Sequence, residues 1–312
     1  MSTSFLRNVI GEYMTTLEDK NDRVVIVNAD LAGTCRNTNA VEKYPMRAYN
    51  VGIAEQNMVA FAAGIACEGF IPFVFSMAPF LVMRACEQVR TDVAYGKKNV
   101  KLIGVYAGLS GGISGVTHWA IEDIGIMSSI PWMTIFEVSD ANLARRIMDY
   151  SVDQEGPIYI RCGVEPTRDL YDSNIDVQSA GSIVVHEGDD ACILCSGVIV
   201  QYALEAVKQI EQESGKRVRV VDMYSIKPID NIAIEKAVKT GHIIVAQDHN
   251  IVGGLGSIVA TQIAQMGVSI DFKILGLNDE FIPMAHAPFL YDKYHLDANG
   301  LRSEMIKMLE GE

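Results

Sequence analysis

The segment with the clearest chemical character is Tyr49-Asn50-Val51-Gly52-Ile53-Ala54-Glu55-Gln56-Asn57-Met58. Glu55 is its only charged side chain, and the apolar run continues through Ala66. A carboxyl group placed where a glycine-containing turn enters an apolar helix loses much of its water. Desolvation raises a carboxyl pKa and suits the group to exchange protons near neutrality. The structural alternative is an acid favoured by the helix dipole near an N-terminus, and local chemistry alone gives that alternative the larger weight. A second candidate is His118, preceded by the glycine-rich run Gly108 to Gly115 and followed by Trp119. Histidine titrates near neutrality, and glycines let a backbone approach a ligand closely. A histidine beside a tryptophan also serves as a packed structural residue. Asp30-Leu31 follows an apolar strand, where α/β sheets place ligand sites; Asp30 as a simple turn residue is the plainer reading.

These residues need a scaffold, and the sequence describes one. Apolar runs of strand length, at Val24 to Val27, Lys101 to Tyr106, Trp132 to Val138 and Pro157 to Arg161, alternate with helix-length stretches such as Asn57 to Glu68 and Phe80 to Ala94. Continuous apolar strands separated by helices indicate a parallel α/β sheet. Polarity rises near residues 165 to 180, and the alternation then restarts. Ser182 to His186, Ala191 to Cys195, Val218 to Val221 and His242 to Ala246 read as strands. Val200 to Glu211 is an amphipathic helix, with Val200, Leu204, Val207 and Ile210 on one stripe, and Leu301 to Leu309 closes the chain as a helix. The expected architecture is α/β, with two parallel or mixed-sheet domains over residues 1–175 and 176–312. The runs Phe70 to Phe75 and Phe80 to Met83 are more apolar than a small surface helix needs, and part of that area is expected to meet partner subunits.

Composition narrows the partners. The 312 residues are 49% hydrophobic and 21% charged, with net charge −13 and basic residues scattered. That balance argues against binding nucleic acid or an anionic membrane by bulk electrostatics. Six cysteines are present, several inside apolar runs where free cysteine behaves as a small hydrophobe. Cys192 and Cys195 form a C-x-x-C pair within a strand-like run, with no second pair to complete a zinc set, so two buried thiols are expected. No signal-like N-terminus or membrane-length apolar run is present, and a reducing cytoplasm is the expected setting.

The wording around Glu55, Asn-x-Gly-Ile-Ala-Glu-Gln-Asn-Met, closely resembles the cofactor-activating segment of the transketolase family. Arg84-Ala85-x-x-Gln88-Val89-Arg90 is similar to the helix following that family's pyrimidine-stacking aromatic. Thr117-His118 matches its substrate-contacting histidine. Lys227-Pro228-Ile229-Asp230 and Asp248-His249 through Gly253-Gly254-Leu255-Gly256-Ser257 resemble its C-terminal domain. The resemblance implies thiamine diphosphate as cofactor, with a pyrimidine-binding domain followed by a transketolase C-terminal domain. It also implies Glu55 as the carboxyl group that activates the cofactor, and Phe80, or less well Phe75, as the ring stacking on the pyrimidine. Asp30 and Leu31 would lie against the cofactor, His118 would act on substrate hydroxyls, and Arg7 would bind the substrate's phosphate. The family's Gly-Asp-Gly diphosphate motif is missing; Gly188-Asp189-Asp190 is the nearest match. The chain therefore resembles the C-terminal subunit of a split transketolase. A partner subunit would bring the diphosphate site and most of the magnesium or calcium ligands, in an α₂β₂ heterotetramer.

Three positions depart from the family pattern. Ser114 stands where a sugar-recognising Asp is usual, Tyr106 replaces a second substrate histidine, and Val164 replaces a second phosphate-gripping arginine. Arg161 or Arg168 is the expected substitute for that arginine. A valine makes no bidentate anion contact, so altered sugar specificity is expected, with Tyr106 and Ser114 facing the substrate. Competing readings are a beta-type subunit of a 2-oxoacid dehydrogenase, a deoxyxylulose-phosphate synthase-like half, and a non-catalytic assembly subunit.

Overall fold

Runs such as Val24-Val25-Ile26-Val27 have no polar face to turn to solvent, so they settle in the middle of a sheet covered on both sides. In the computed structural model, which describes residues 3–311, seven strands lie side by side. Their spatial order is Ser225–Lys227, Thr134–Glu137, Ile158–Cys162, Lys101–Val105, Ile71–Met77, Val24–Asn28 and Ala48–Asn50. All neighbours are parallel except the first pair. The five strands of the second sheet run Asp271–Leu277, His242–Asn250, Ala191–Cys195, Val218–Asp222 and Ile183–His186, with only the last antiparallel. Between Arg168 and Ile183 the chain forms neither helix nor strand.

Three apolar cores hold these layers. On one face of the first sheet, helices Leu6–Lys20 and Ala141–Asp153 bring Ile10, Met14, Ile147 and Met148 against Phe73, Phe75 and Ile103. On the other face, Val74, Leu102 and Ile135 share a core with helix Glu55–Cys67 and with Cys192, Leu194, Val221 and Val245 of the second sheet. The two units are therefore joined by a continuous apolar interior. The outer face of the second sheet carries helices Ile199–Ser214 and Ala298–Glu310. Strand Ser225–Lys227 adds a further link, because it leaves the second unit to pair with Thr134–Glu137 of the first. The Lys227 ammonium donates to the carbonyls of Ser128 and Ile130 at 2.8 and 2.6 Å, and Asp230 caps helix Asn231–Val238 by accepting from Ala233 N. The Lys227 to Asp230 motif thus acts as a clamp between the units.

Two expectations are corrected. Apart from the exposed Phe70, the run Phe70 to Phe75 is not surplus apolar surface. It forms most of the strand Ile71–Met77, in which Ile71, Phe73, Val74 and Phe75 are fully buried between sheet neighbours. Phe80 to Ala94 is not one regular helix: π-helical segments Phe80–Arg84 and Val89–Ala94 flank a short α turn at Cys86–Gln88. The paired cysteines behave as expected. Cys192 faces the shared core and Cys195 the outer one, on opposite sides of their strand, and burial pushes the Cys192 thiol up to about 12.

Helix Leu6–Lys20 contains one conflict with its own pattern. Glu18 is 1% exposed, and neither carboxyl oxygen has a hydrogen-bond partner among the described residues. Desolvation pushes its pKa from 4.5 up to about 7, against the pull of Arg47. A carboxyl whose folded pKa is raised holds its proton more tightly in the folded chain. Its favourable contribution is present below pH 4.5 and is lost as pH rises through about 7. Glu18→Gln should therefore stabilise the protein at pH 8 by on the order of 2 kcal/mol in urea denaturation, with the gain vanishing near pH 4. A gain of equal size at both pH values would refute this account.

Candidate active site

The carboxyl ends of the first sheet's strands gather the predicted residues. Val24–Asn28 has its sequence-adjacent strand Ala48–Asn50 on one side and Ile71–Met77 on the other. The connections diverge there, and α/β sheets open a crevice at such a point. Asp30 leaves the first of these strands at φ +60°, and Tyr106 leaves Lys101–Val105 at φ +63°. Both are left-handed conformations that side-chain-bearing residues seldom adopt.

Asn50 ties the first two turns together. Its side-chain oxygen accepts from Asp30 N at 3.0 Å and Gly52 N at 3.1 Å, while its amide nitrogen donates to Asp30 Oδ1 at 3.2 Å. Gly52 then takes φ +76°, which glycine allows without a Cβ clash, and helix Glu55–Cys67 begins three residues on. Glu55 is thus the first helical residue, 3% exposed, at the wall of an open cavity of about 550 Å³ that Ile53, Gln56, Asn57 and Arg84 also line. The carboxylate is not in a purely apolar setting. Arg84 Nη1 donates to both its oxygens, at 3.3 and 3.2 Å.

Arg84 is carried there by the π-helical turn that also bears Phe80. An α-helix brings residues four apart to the same face, and a π-helical turn widens that step locally; such turns recur at functional sites. Here the turn Phe80–Arg84 lays the guanidinium over the Phe80 ring at 4.0 Å while its nitrogen reaches Glu55. The half-buried Phe80 ring in turn meets His118 edge-on, with ring centroids 5.5 Å apart. His118 Nδ1 lies 2.6 Å from the Thr117 hydroxyl. Glu55, Arg84, Phe80 and His118 form one unbroken line of contacts. Sequence reasoning finds Arg84 only as part of a motif and assigns it no role; its place four residues after Phe80 is the available signal.

The remaining substrate candidates lie along the same edge. Arg7 Nη1 donates to the Tyr106 hydroxyl at 2.8 Å, and its guanidinium lies over that ring at 5.4 Å. Tyr106, Phe80 and Leu31 border the same apolar core. Ser114 is exposed at the end of the 3₁₀ segment Gly108–Ser114. Two expectations fail. Phe75 lies within the sheet with 0% exposure, packed between strands, so it offers no ring face to a ligand and is a core residue. Arg161 is not free. Arg161 is 1% exposed and bonded to Asp123 at 2.8 Å and to Glu137, and Arg168 is ion-paired with Glu205.

The family model "Transketolase, pyrimidine binding domain" matches residues 4–168, and "Transketolase, C-terminal domain" matches residues 181–301. The chain belongs to the transketolase family. It is 32% identical to a 6-deoxy-6-sulfo-D-fructose transketolase subunit from a Clostridium species, over 94% of this chain and 91% of that protein. It is 34% identical to an apulose-4-phosphate transketolase subunit from Actinobacillus succinogenes, over 95% of this chain and 96% of that protein. A solved structure described as a split gene transketolase, inactive beta4 tetramer, superposes with a TM-score of 0.88 at 35% identity, covering 98% of each chain. The likeness is thus to the C-terminal chain of two-chain transketolases.

The Glu55–Arg84 pair is asymmetric, since Arg84 is 51% exposed and Glu55 is 3% exposed. Losing the glutamate leaves a cation that water can solvate, whereas losing the arginine strands a buried carboxylate. In denaturation at pH 7, Glu55→Gln should change stability by less than about 1 kcal/mol. Arg84→Ala should cost about 1–3 kcal/mol. Equal losses for the two variants would contradict the asymmetry.

Proposed function

We propose that this chain is the catalytic C-terminal subunit of a split transketolase, transferring a two-carbon ketol unit from a ketose to an aldose. The observation that carries the reading is Glu55: a buried carboxylate at the wall of an open cavity, in a chain of this family. The residues fit thiamine diphosphate's aminopyrimidine end, with a carboxyl group at the first turn of a helix and a half-exposed aromatic ring in contact with its partner arginine. Glu55, Phe80, Leu31 and Asp30 would hold that end. When bound, thiamine diphosphate supplies the electron sink that allows a ketose carbon–carbon bond to break.

The chain's own groups have distinct tasks. Glu55 holds and moves the proton at the pyrimidine N1′ position, general acid–base work that contributes about 10²–10⁴-fold. Arg84 orients that carboxylate from two oxygens at once. His118, braced on Phe80 and Thr117, exchanges protons with substrate hydroxyls on the same side of the cleft. Arg7 presents positive charge to the far end of the sugar, with Tyr106 fixing its guanidinium. With Val164 in place of a second arginine, the far-end contact is lighter than a two-arginine clamp. The relatives named for a sulfonated ketose and for apulose-4-phosphate support a donor outside the ordinary pentose phosphates.

The Gly-Asp-Gly subunit would complete the diphosphate and metal end. The related beta4 assembly described as inactive supports a chain that is silent on its own. Co-expression with a Gly-Asp-Gly subunit should produce ketol transfer from a ketose donor, while the isolated chain gives none. In that complex Glu55→Gln should lower kcat by roughly a hundred-fold or more. Pyruvate accepted as donor in place of a ketose would point to a deoxyxylulose-phosphate synthase, and strong activity from the chain alone would end the two-chain reading.

A further inference from the structure

The loop that bears Tyr106, Ser114 and His118 is fastened from the second unit. Leu109 N donates to Asp248 Oδ1 at 2.8 Å, and the Tyr291 hydroxyl donates to Asp248 Oδ2 at 2.7 Å. The Asp248 carbonyl accepts from Arg161 Nη2 at 2.6 Å. Asp248 is 4% exposed, so both carboxylate oxygens are met by protein donors in a dry setting. Gly108 stands at φ +64°, and a Cβ there would lie 2.1 Å from Asp248 Oδ2. The loop backbone is therefore drawn closer to the carboxylate than any side chain permits. Leu109 and Trp119, on either side of the exposed loop tip, are buried in the second unit's outer core with Leu290 and Tyr291.

We infer that Asp248 is a positioning residue, whose carboxylate sets the loop Tyr106–His118 and with it the substrate end of the cleft. The kinetic part of this inference rests on the ketol-transfer reading above; the structural part does not. The second unit then has a defined task in the reaction, although it supplies none of the groups in the Glu55–His118 line. The carboxylate acts here as a double acceptor. An asparagine reproduces both contacts, accepting from Leu109 N through Oδ1 and donating from Nδ2 to the Tyr291 oxygen, whereas alanine reproduces neither. Burial holds the Asp248 carboxyl up at about 6, against the pull of Arg161, so a neutral amide suits the same surroundings.

The test uses the complex with the Gly-Asp-Gly subunit and compares Asp248→Ala, Asp248→Asn and Ser151→Ala. Ser151 is as deeply buried and donates to the Ile147 carbonyl at 2.6 Å within its own helix Ala141–Asp153. In Asp248→Ala, hydrogen exchange across residues 106–118 should speed up about tenfold, and the ketose KM should rise about tenfold with thiamine diphosphate affinity unchanged. Asp248→Asn should restore both, and Ser151→Ala should alter neither. If the alanine variant does not fold, Tyr291→Phe should give the same signature in milder form. Unchanged loop exchange in Asp248→Ala, equal acceleration in Ser151→Ala, or no rescue by asparagine would overturn the inference. The exchange signature without ketol transfer from any ketose would instead overturn the functional reading and leave the positioning role intact.

Discussion

The Arg161 guanidinium is the joint on which both sheets close. It is buried in the strand Ile158–Cys162 of the first unit, and a charge taken out of water there costs several kcal/mol unless it is paired and hydrogen-bonded. The structure meets that demand from three directions. Nε reaches Asp123, Nη1 reaches Glu137, and Nη2 reaches the Asp248 carbonyl of the second sheet. The acids are held in turn by Tyr159, by Ser196 and by the donors on Asp248. His249, beside Asp123, is kept neutral by burial, with its pKa lowered to about 4. A network so thoroughly satisfied leaves the two units one relative placement, because any slip would expose a buried charge without a partner.

Burial explains why this joint reads, in the sequence, as a substrate contact. An arginine beside a family phosphate position looks available, and nothing in Ile160-Arg161-Cys162 reveals that two acids from distant segments surround it. The same limit affects Ile71–Met77. A strand buried on both faces and a sticky surface have the same composition, and only the number of neighbouring strands separates them. Ser225–Lys227 is illegible for a related reason: three residues carry no periodicity, and their partner strand lies far back in the chain. What is legible follows local rules. Gly52 before an apolar helix, glycines before His118, and apolar pentads between helices each state their own geometry.

The line Glu55–Arg84–Phe80–His118 is built on a different principle from the Arg161 joint. A carboxylate, a cation, a π face and an imidazole succeed one another, and each orients the next through an interaction of a different kind. The first contact is ionic, the second is cation–π, and the third is aromatic edge-to-face. Such a chain is less sensitive to any one variable, salt or pH, than a row of ion pairs would be. Arg84 makes it possible, since its one side chain serves both the ring and the acid.

The strand Ser225–Lys227 also bears on the order of events during synthesis. As the chain emerges from the ribosome, the first sheet can assemble through Ile158–Cys162, yet its outer edge at Thr134–Glu137 stays open. An uncovered edge invites pairing with other chains. It is closed only after Ile183–His186, Ala191–Cys195 and Val218–Asp222 have been made and Ser225–Lys227 has followed. Domain-by-domain maturation, the usual route for a chain of two α/β units, is therefore interrupted here. The first unit waits for the second to hand back its last strand, and the nascent chain carries an exposed edge for as long as that takes.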